Sequence, residues 1–173
     1  YDSALKKLIS YTSFGANSSI LFEDSERIIQ SCYGEGVKVF NTESFSYETP
    51  QLNEMLIESR IRVAYRDRNN KLWFGISNMG LLLTDSLDQQ TNITLITNKD
   101  EKYAALNSNV IYQISESSDG AIWICTEEGV NMIDVKDYLF NSFSLQSGEN
   151  KKLSVGIRSL LNSDEGVIWL RKI

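Results

Sequence analysis

Apolar residues in this chain come in short bursts separated by turn residues, and the pattern within each burst predicts β-strands. From Val110 onward, Val110, Tyr112 and Ile114 alternate with more polar neighbours, as in a strand with one buried face. Ser117-Ser118-Asp119-Gly120 predicts a tight turn, because Asp bonds its own backbone and Gly takes positive φ without cost. Residues 121–126 form a continuous apolar run, the pattern of a strand covered on both faces. Glu127-Glu128-Gly129 turns again, 130–134 alternates, and 140–145 reads as a fourth strand. The same four-strand content is predicted at 61–66, 72–76, 81–84 and 93–97, and at 19–22, 27–32, 37–40 and 44–47. Proline at a first-turn position, with Leu52, Met55 and Leu56 at helical spacing, marks 50–59 as the best helix candidate, an insertion between units.

These units recur. Lys71-Leu72-Trp73-Phe74-Gly75, Ala121-Ile122-Trp123-Ile124-Cys125 and Val167-Ile168-Trp169-Leu170-Arg171 place the three tryptophans in one local context, 50 and 46 residues apart. A turn residue (Asn70, Gly120 or Gly166) precedes each by three positions, and Gly80 and Gly129 follow the first two. A degenerate copy at 26–32 puts Ile29 in the tryptophan position, 44 residues before Trp73, with Gly36 closing its turn. Four antiparallel strands per period of this length is the content of a β-propeller blade. A β-sandwich also uses many short strands, but it gives no reason for one motif to return at fixed intervals.

The expected fold is therefore all-β, a β-propeller segment of about three four-stranded antiparallel blades with partial blades at both ends. The boundaries fall at 1–14 (partial blade), 15–49, 58–98, 108–147 and 153–173 (partial blade), with an outermost strand at 5–11. About three blades do not close a ring, so the reading is of a segment whose parent continues on both sides.

Composition narrows the chemistry. The 173 residues carry 17 Lys and Arg against 23 Asp and Glu, a net charge of −6, which argues against a duplex-binding surface. Histidine is absent, removing serine–histidine and cysteine–histidine nucleophile pairs and the usual zinc sites. Cys32 and Cys125 sit one register position apart in different units, so their side chains face opposite ways and free buried thiols are expected. No apolar run reaches the ~20 residues of a membrane helix. No phosphate-cradling glycine loop or calcium-loop spacing is present, and no cofactor or metal is expected.

The phrase Ile114-Ser115-Glu116-Ser117-Ser118-Asp119-Gly120-Ala121-Ile122-Trp123-Ile124-Cys125-Thr126-Glu127-Glu128-Gly129-Val130 resembles the two-component regulator propeller repeat. Residues 66–75 and 163–169 match it less completely. Ile29 departs from the pattern at Trp, Ser31 and Cys125 depart at the small Gly, and Arg171-Lys172-Ile173 lacks the Gly-Thr pair. In that family such repeats build the extracytoplasmic half of membrane-bound hybrid sensor kinases of gut Bacteroidetes, many of which recognise oligosaccharides and switch on polysaccharide-utilisation genes. The resemblance implies a periplasmic ligand-sensing segment of an inner-membrane protein, with no catalytic residues of its own. The expected partners are an oligosaccharide, the remaining blades of the parent and, in that parent, a second copy as a homodimer. Neither nucleic acid nor membrane is expected to touch this segment. A protein-interaction scaffold and a propeller glycan hydrolase or lyase stay open as alternatives, because fold does not dictate function.

The register supplies candidate residues. Trp73, Trp123 and Trp169, with Gly80, Gly120 and Gly129, are expected to pack and turn the blades. Eleven residues before the tryptophan position, on the innermost strand, lie Ser18, Arg62, Tyr112 and Arg158, which would ring one level of a central channel and offer convergent donors. Tyr33, Asn78 and Glu127 in turns after the second strand, and Arg60 and Asn109 before the first, are expected on the same rim. Of these, Arg62, Tyr112, Arg158, Tyr33, Asn78, Asn109 and Glu127 are the candidate ligand-binding residues.

Overall fold

The computed structural model describes residues 19–23, 26–32, 34–90, 92–99, 106–134, 139–143, 157–163 and 167–172. The expected strand at 5–11, the partial blade at 1–14, Ser18 and Tyr33 lie outside the described residues.

The chain forms three four-stranded antiparallel sheets and a hairpin, each with its strands in chain order. The first sheet holds β1 (Ser19–Glu23), β2 (Arg27–Cys32), β3 (Gly36–Asn41) and β4 (Ser46–Glu48). The second holds β5 (Ile61–Arg66), β6 (Leu72–Ile76), β7 (Gly80–Thr84) and β8 (Thr94–Ile96). The third holds β9 (Ile111–Glu116), β10 (Ile122–Thr126), β11 (Gly129–Asp134) and β12 (Leu139–Phe143). Strands β13 (Ile157–Asn162) and β14 (Ile168–Lys172) make the hairpin. The first strands β1, β5, β9 and β13 pack against one another in series, which makes them the inner strands of successive sheets.

Alternation along the second strand of each sheet builds the core. Leu72, Phe74 and Ile76 of β6 face the first sheet and join Ile29, Val37 and Val39. Trp73 points the other way, into a cluster with Ile111, Ile114, Ile122 and Ile124 of the third sheet. One strand thus feeds two interfaces, because neighbouring side chains leave opposite faces. On β10, Ile122 and Ile124 face the second sheet while Trp123 and Cys125 turn to Ile157 and Leu160 of the hairpin. Each sheet therefore presents its tryptophan position to the sheet that follows it. Coverage falls accordingly: Trp73 is 0% exposed, Trp123 is half-buried and Trp169 is 64% exposed. No sheet follows the hairpin among the described residues, so Trp169 has no facing sheet to pack against.

Close approach explains the glycine two positions after Trp73. A Cβ on Gly75 would stand 2.7 Å from Val63 Cγ1 and 2.9 Å from Ile111 Cγ2, so the inner strands leave room for hydrogen only. Cys125 fills the corresponding place in the third sheet, fully buried beside Ile157. Gly80 opens β7 at φ +102°, where a side chain would run into the Ile96 carbonyl.

Within the helix candidate at 50–59 a single turn is helical, α1 (Asn53–Leu56). Asn53, Glu54 and Met55 donate to carbonyls three residues back, and only Ile57 reaches four back, to Asn53. Glu58 at φ 68° ends the turn. Tertiary anchors hold it instead of helical length. Leu52 and Leu56 are fully buried, whereas Met55 is exposed. Asn53 Oδ1 accepts from Val37 N (2.6 Å) and its Nδ2 donates to Glu35 O (2.8 Å), clamping the β2–β3 turn.

Polar clamps tie sheet to sheet. Arg68, in the β5–β6 turn, donates from Nη2 to Ser117 O (2.7 Å) and from Nη1 to Ser118 O (3.1 Å), and its Nε pairs with the Glu116 carboxylate. Gln113 on β9 bonds both ways with the backbone of Leu160 on β13, Nε2 to O at 2.9 Å and Oε1 from N at 2.7 Å. These bonds fix the relative height of the inner strands, and so the level of whatever side chains those strands carry.

Candidate functional site

The inner strands share an irregularity that reading the sequence does not predict. In β5 the pairs Ile61↔Ile76 and Val63↔Gly75 skip Arg62. In β9 the pairs Ile111↔Thr126 and Gln113↔Cys125 skip Tyr112, and in β13 the pairs Ile157↔Lys172 and Ser159↔Arg171 skip Arg158. Each skipped residue is the extra one of a β-bulge, a device that re-aims a side chain and bends its strand. Three of the residues singled out by register thus occupy bulges at the same position in successive inner strands. In β1 the bulge falls at Leu21 instead.

The three side chains meet. The Arg62 guanidinium carbon lies 5.5 Å from the centroid of the Tyr112 ring, and that of Arg158 lies 5.9 Å from the same centroid. One cation arrives from each neighbouring inner strand. Such contacts are each worth about 0.5–1 kcal/mol at an exposed site, enough to orient the guanidinium groups. Arg62 Nε also donates to Ser77 Oγ at 2.7 Å, leaving its outward Nη pair for other acceptors. Both arginines are exposed, and Tyr112 is half-buried against the third core cluster.

The rim around this trio assembles as expected in part. Ser77 N donates to Arg60 O (2.9 Å) and Glu127 N to Val110 O (3.0 Å), so the turn after the second strand closes onto the entry to the first in both sheets. Asn78, at φ 62°, and Glu127 are exposed in those turns, and no hydrogen bond joins either side chain to the trio. Asn109 plays a structural part, since its Oδ1 accepts from Asn98 N at 2.7 Å, beside the β6–β7 turn. Gly120 sits in the β9–β10 turn at φ 93°, and Gly129 opens β11 at φ 142°.

Elsewhere the polar groups neutralise one another. A cavity of about 210 Å³ between the first two sheets is lined by Arg27, Arg66, Asn70, Asp85 and Asp88. It is laced by Arg27–Asp88 (3.3 Å) and Lys71–Asp85 (2.7 Å). Bonds from Lys71 and Asn92 hold the Asp85 carboxyl below its ordinary range. The Ser117 hydroxyl bonded to Asp119 does the same there, marking Asp119-Gly120 as a turn. Asp67, which reading the sequence missed, is buried and accepts from Asn69 N, Lys71 N and Trp73 Nε1, each at 2.9 Å. Burial pushes the Cys125 thiol up to about 12, and Cys32 is likewise raised, chiefly by burial. Among the described residues no group of His, Cys, Asp or Glu could hold a metal ion.

Residues 105–128 match the model of the two component regulator propeller family. The chain carries a two-component regulator propeller repeat. The match falls on the third sheet's inner strand, its Ser117–Gly120 turn and its tryptophan strand, the segment that makes both the Arg68 clamp and the Tyr112 bulge. The propeller fold extends beyond it. The extracellular domain of the hybrid two component system BT3049 from B. thetaiotaomicron superposes with a TM-score of 0.60 at 20% identity, covering 83% of this chain and 19% of that one. The extracellular domain of BT4673 from the same organism gives a TM-score of 0.68 at 20% identity, covering 88% and 19%. PorZ, a surface component of the type-IX secretion system of Porphyromonas gingivalis, gives 0.65 at 11% identity, covering 89% and 24%. This propeller segment therefore spans about a fifth of the length of the structures it resembles. No curated protein matches the chain by sequence. No helix among the described residues is long and apolar enough to cross a membrane.

Proposed function

We propose that this chain is a section of an extracytoplasmic sensor propeller that binds an oligosaccharide at its axis and reports binding through packing between domains. The observation that carries this reading is the meeting of Arg62, Tyr112 and Arg158 from three successive inner strands. Tyr112 also packs against the third core cluster, but burial does not explain the bulges at Arg62 and Arg158, whose side chains are exposed. The family repeat and the resemblance to extracellular domains of two-component systems support it. In this reading the segment faces the periplasm, does no chemistry of its own, and belongs to a homodimeric inner-membrane sensor kinase that regulates polysaccharide use.

A site spread over neighbouring blades suits a sensor, because a ligand that bridges the inner strands favours one relative height of the sheets over another. The test is thermal shift and calorimetry on the full-length protein containing this chain, against a panel of oligosaccharides. A ligand present at about 100 times its Kd adds about 2.7 kcal/mol to native stability, a readable rise in Tm. Arg62→Ala and Arg158→Ala should each weaken binding while leaving the unliganded Tm in place. Unchanged affinity in both variants removes the axial site.

A further inference from the structure

We infer that the ligand held at the axis is an anionic oligosaccharide, gripped by Arg62 and Arg158 through a carboxylate or sulfate group; this rests on reading the trio as the ligand site. Two guanidinium groups within 6 Å of one tyrosine ring repel each other, and a structural pair of that kind ordinarily acquires an acidic neighbour. Here none is supplied. The chain has an excess of acids, and Arg27, Lys38, Arg68 and Lys71 each pair with one of them. Yet among the described residues no carboxylate pairs with Arg62 or Arg158. Arg60, exposed on the same rim, has no acidic partner among them either. The acids of the adjoining turn, Glu127 and Glu128, are exposed and make no ion pair with the trio.

Geometry adds direction to the charge. Ser77 occupies Arg62 Nε, which restrains the exposed guanidinium and leaves its Nη donors to other acceptors. Tyr112, on the strand between those of the two arginines, orients the other guanidinium by its ring and carries a hydroxyl able to donate to or accept from a sugar hydroxyl. A carboxylate or sulfate ester, with several oxygens sharing its negative charge, can accept from two guanidinium forks on different strands, and a neutral sugar leaves both charges unanswered. A concavity of about 450 Å³ beside α1, lined by Thr49, Pro50, Gln51, Asn53, Glu54 and Ile57, offers no cation.

The experiment is calorimetric titration of the full-length protein with uronate-containing tetrasaccharides, their carboxyl-reduced neutral counterparts, sulfated disaccharides, neutral tetrasaccharides and inorganic sulfate alone. The expected result is binding of at least one acidic sugar, at least tenfold weaker for its neutral counterpart, and weakened severalfold between 50 and 300 mM NaCl. Arg62→Ala and Arg158→Ala should each cost about tenfold, with lysine at either position restoring part. A neutral sugar that binds as tightly, and still depends on both arginines, overturns the anionic assignment and leaves the axial site standing. Binding of inorganic sulfate with no acidic sugar overturns the sugar as its source. Acidic sugars bound equally by wild type and both arginine variants overturn the site itself. Far-UV circular dichroism and the unliganded Tm confirm that each variant is folded.

Discussion

Replacing Asp67 by alanine tests whether Trp73 is locked by its own turn as well as by the third sheet that covers it. Asp67 is 3% exposed and accepts three bonds, from Asn69 N, Lys71 N and Trp73 Nε1. The two backbone donors lie in a turn flanked by exposed residues and can turn to water. The indole N–H cannot, because Trp73 is 0% exposed. A hydrogen bond to a charged group contributes about 1.5–3 kcal/mol, and an orphaned buried donor costs about 1–3 kcal/mol. The expected loss for Asp67→Ala is therefore about 3 kcal/mol, a fall in Tm on the order of 10 °C for a unit of this size.

Trp73→Phe, which removes the N–H and part of the ring, should cost about 2 kcal/mol. The double variant should cost less than the two together by about 1–2 kcal/mol, since one bond is broken by either change. Asp67→Asn keeps an oxygen for the turn but sets an amide against the indole N–H, so it should fall between wild type and alanine. Urea unfolding of the full protein, followed by circular dichroism to avoid the altered fluorophore, supplies the numbers. A cost for Asp67→Ala below about 0.5 kcal/mol, or strict additivity in the cycle, would show that the turn and the indole are independent.

The sheet-to-sheet clamp and the buried thiols give further tests. Arg68→Ala removes the charged partner of the Glu116 carboxylate, whose side chain is 6% exposed, leaving it the bond from the backbone N of residue 68, and should destabilise the protein by about 2–4 kcal/mol, most of it recovered in Arg68→Ala/Glu116→Gln; equal stability of wild type and Arg68→Ala by urea unfolding rejects the clamp. Cys125 keeps its proton in the native state up to about 12 against an ordinary 9.0, so the unfolded chain releases that proton first and native stability must fall as pH rises above about 9. Alkylation by iodoacetamide at pH 8 should accordingly leave Cys32 and Cys125 unmodified in the folded protein and label both in urea, as mass spectrometry reads; rapid labelling of native Cys125 refutes its burial.

Much of the fold is legible in the sequence because a blade is a local object. Its strands are consecutive, its turns are marked by Asp, Asn and Gly, and its apolar run between turns can be read without knowing what lies against it. The expected 27–32, 61–66 and 72–76 are strands at those bounds, and the other described strands shift by a residue or two at their ends. The helix at 50–59 misled for a tertiary reason. Leu52 and Leu56 bury against the first sheet, and Leu52 N is taken by Leu87 O, so spacing that mimics a helix serves as two anchors on an irregular crossing. Asn53, Asp67, Arg68 and Gln113 were not legible, because each is an ordinary polar residue whose partner is a backbone group or a side chain brought near only by folding.

The repeat, its strand count, the tryptophan register and the common level of Arg62, Tyr112 and Arg158 were all written in one dimension, since they depend on periodicity alone. What three dimensions decided was which members of that register meet and which face of each sheet is covered. Bulges at Arg62, Tyr112 and Arg158 send those side chains toward one another, and a bulge depends on how two strands pair, which composition does not reveal. Trp73 and Trp123 share a sequence context, yet one is sealed and the other half-buried. Burial of an interface residue belongs to the sheet that packs on it, and that sheet lies further along the chain.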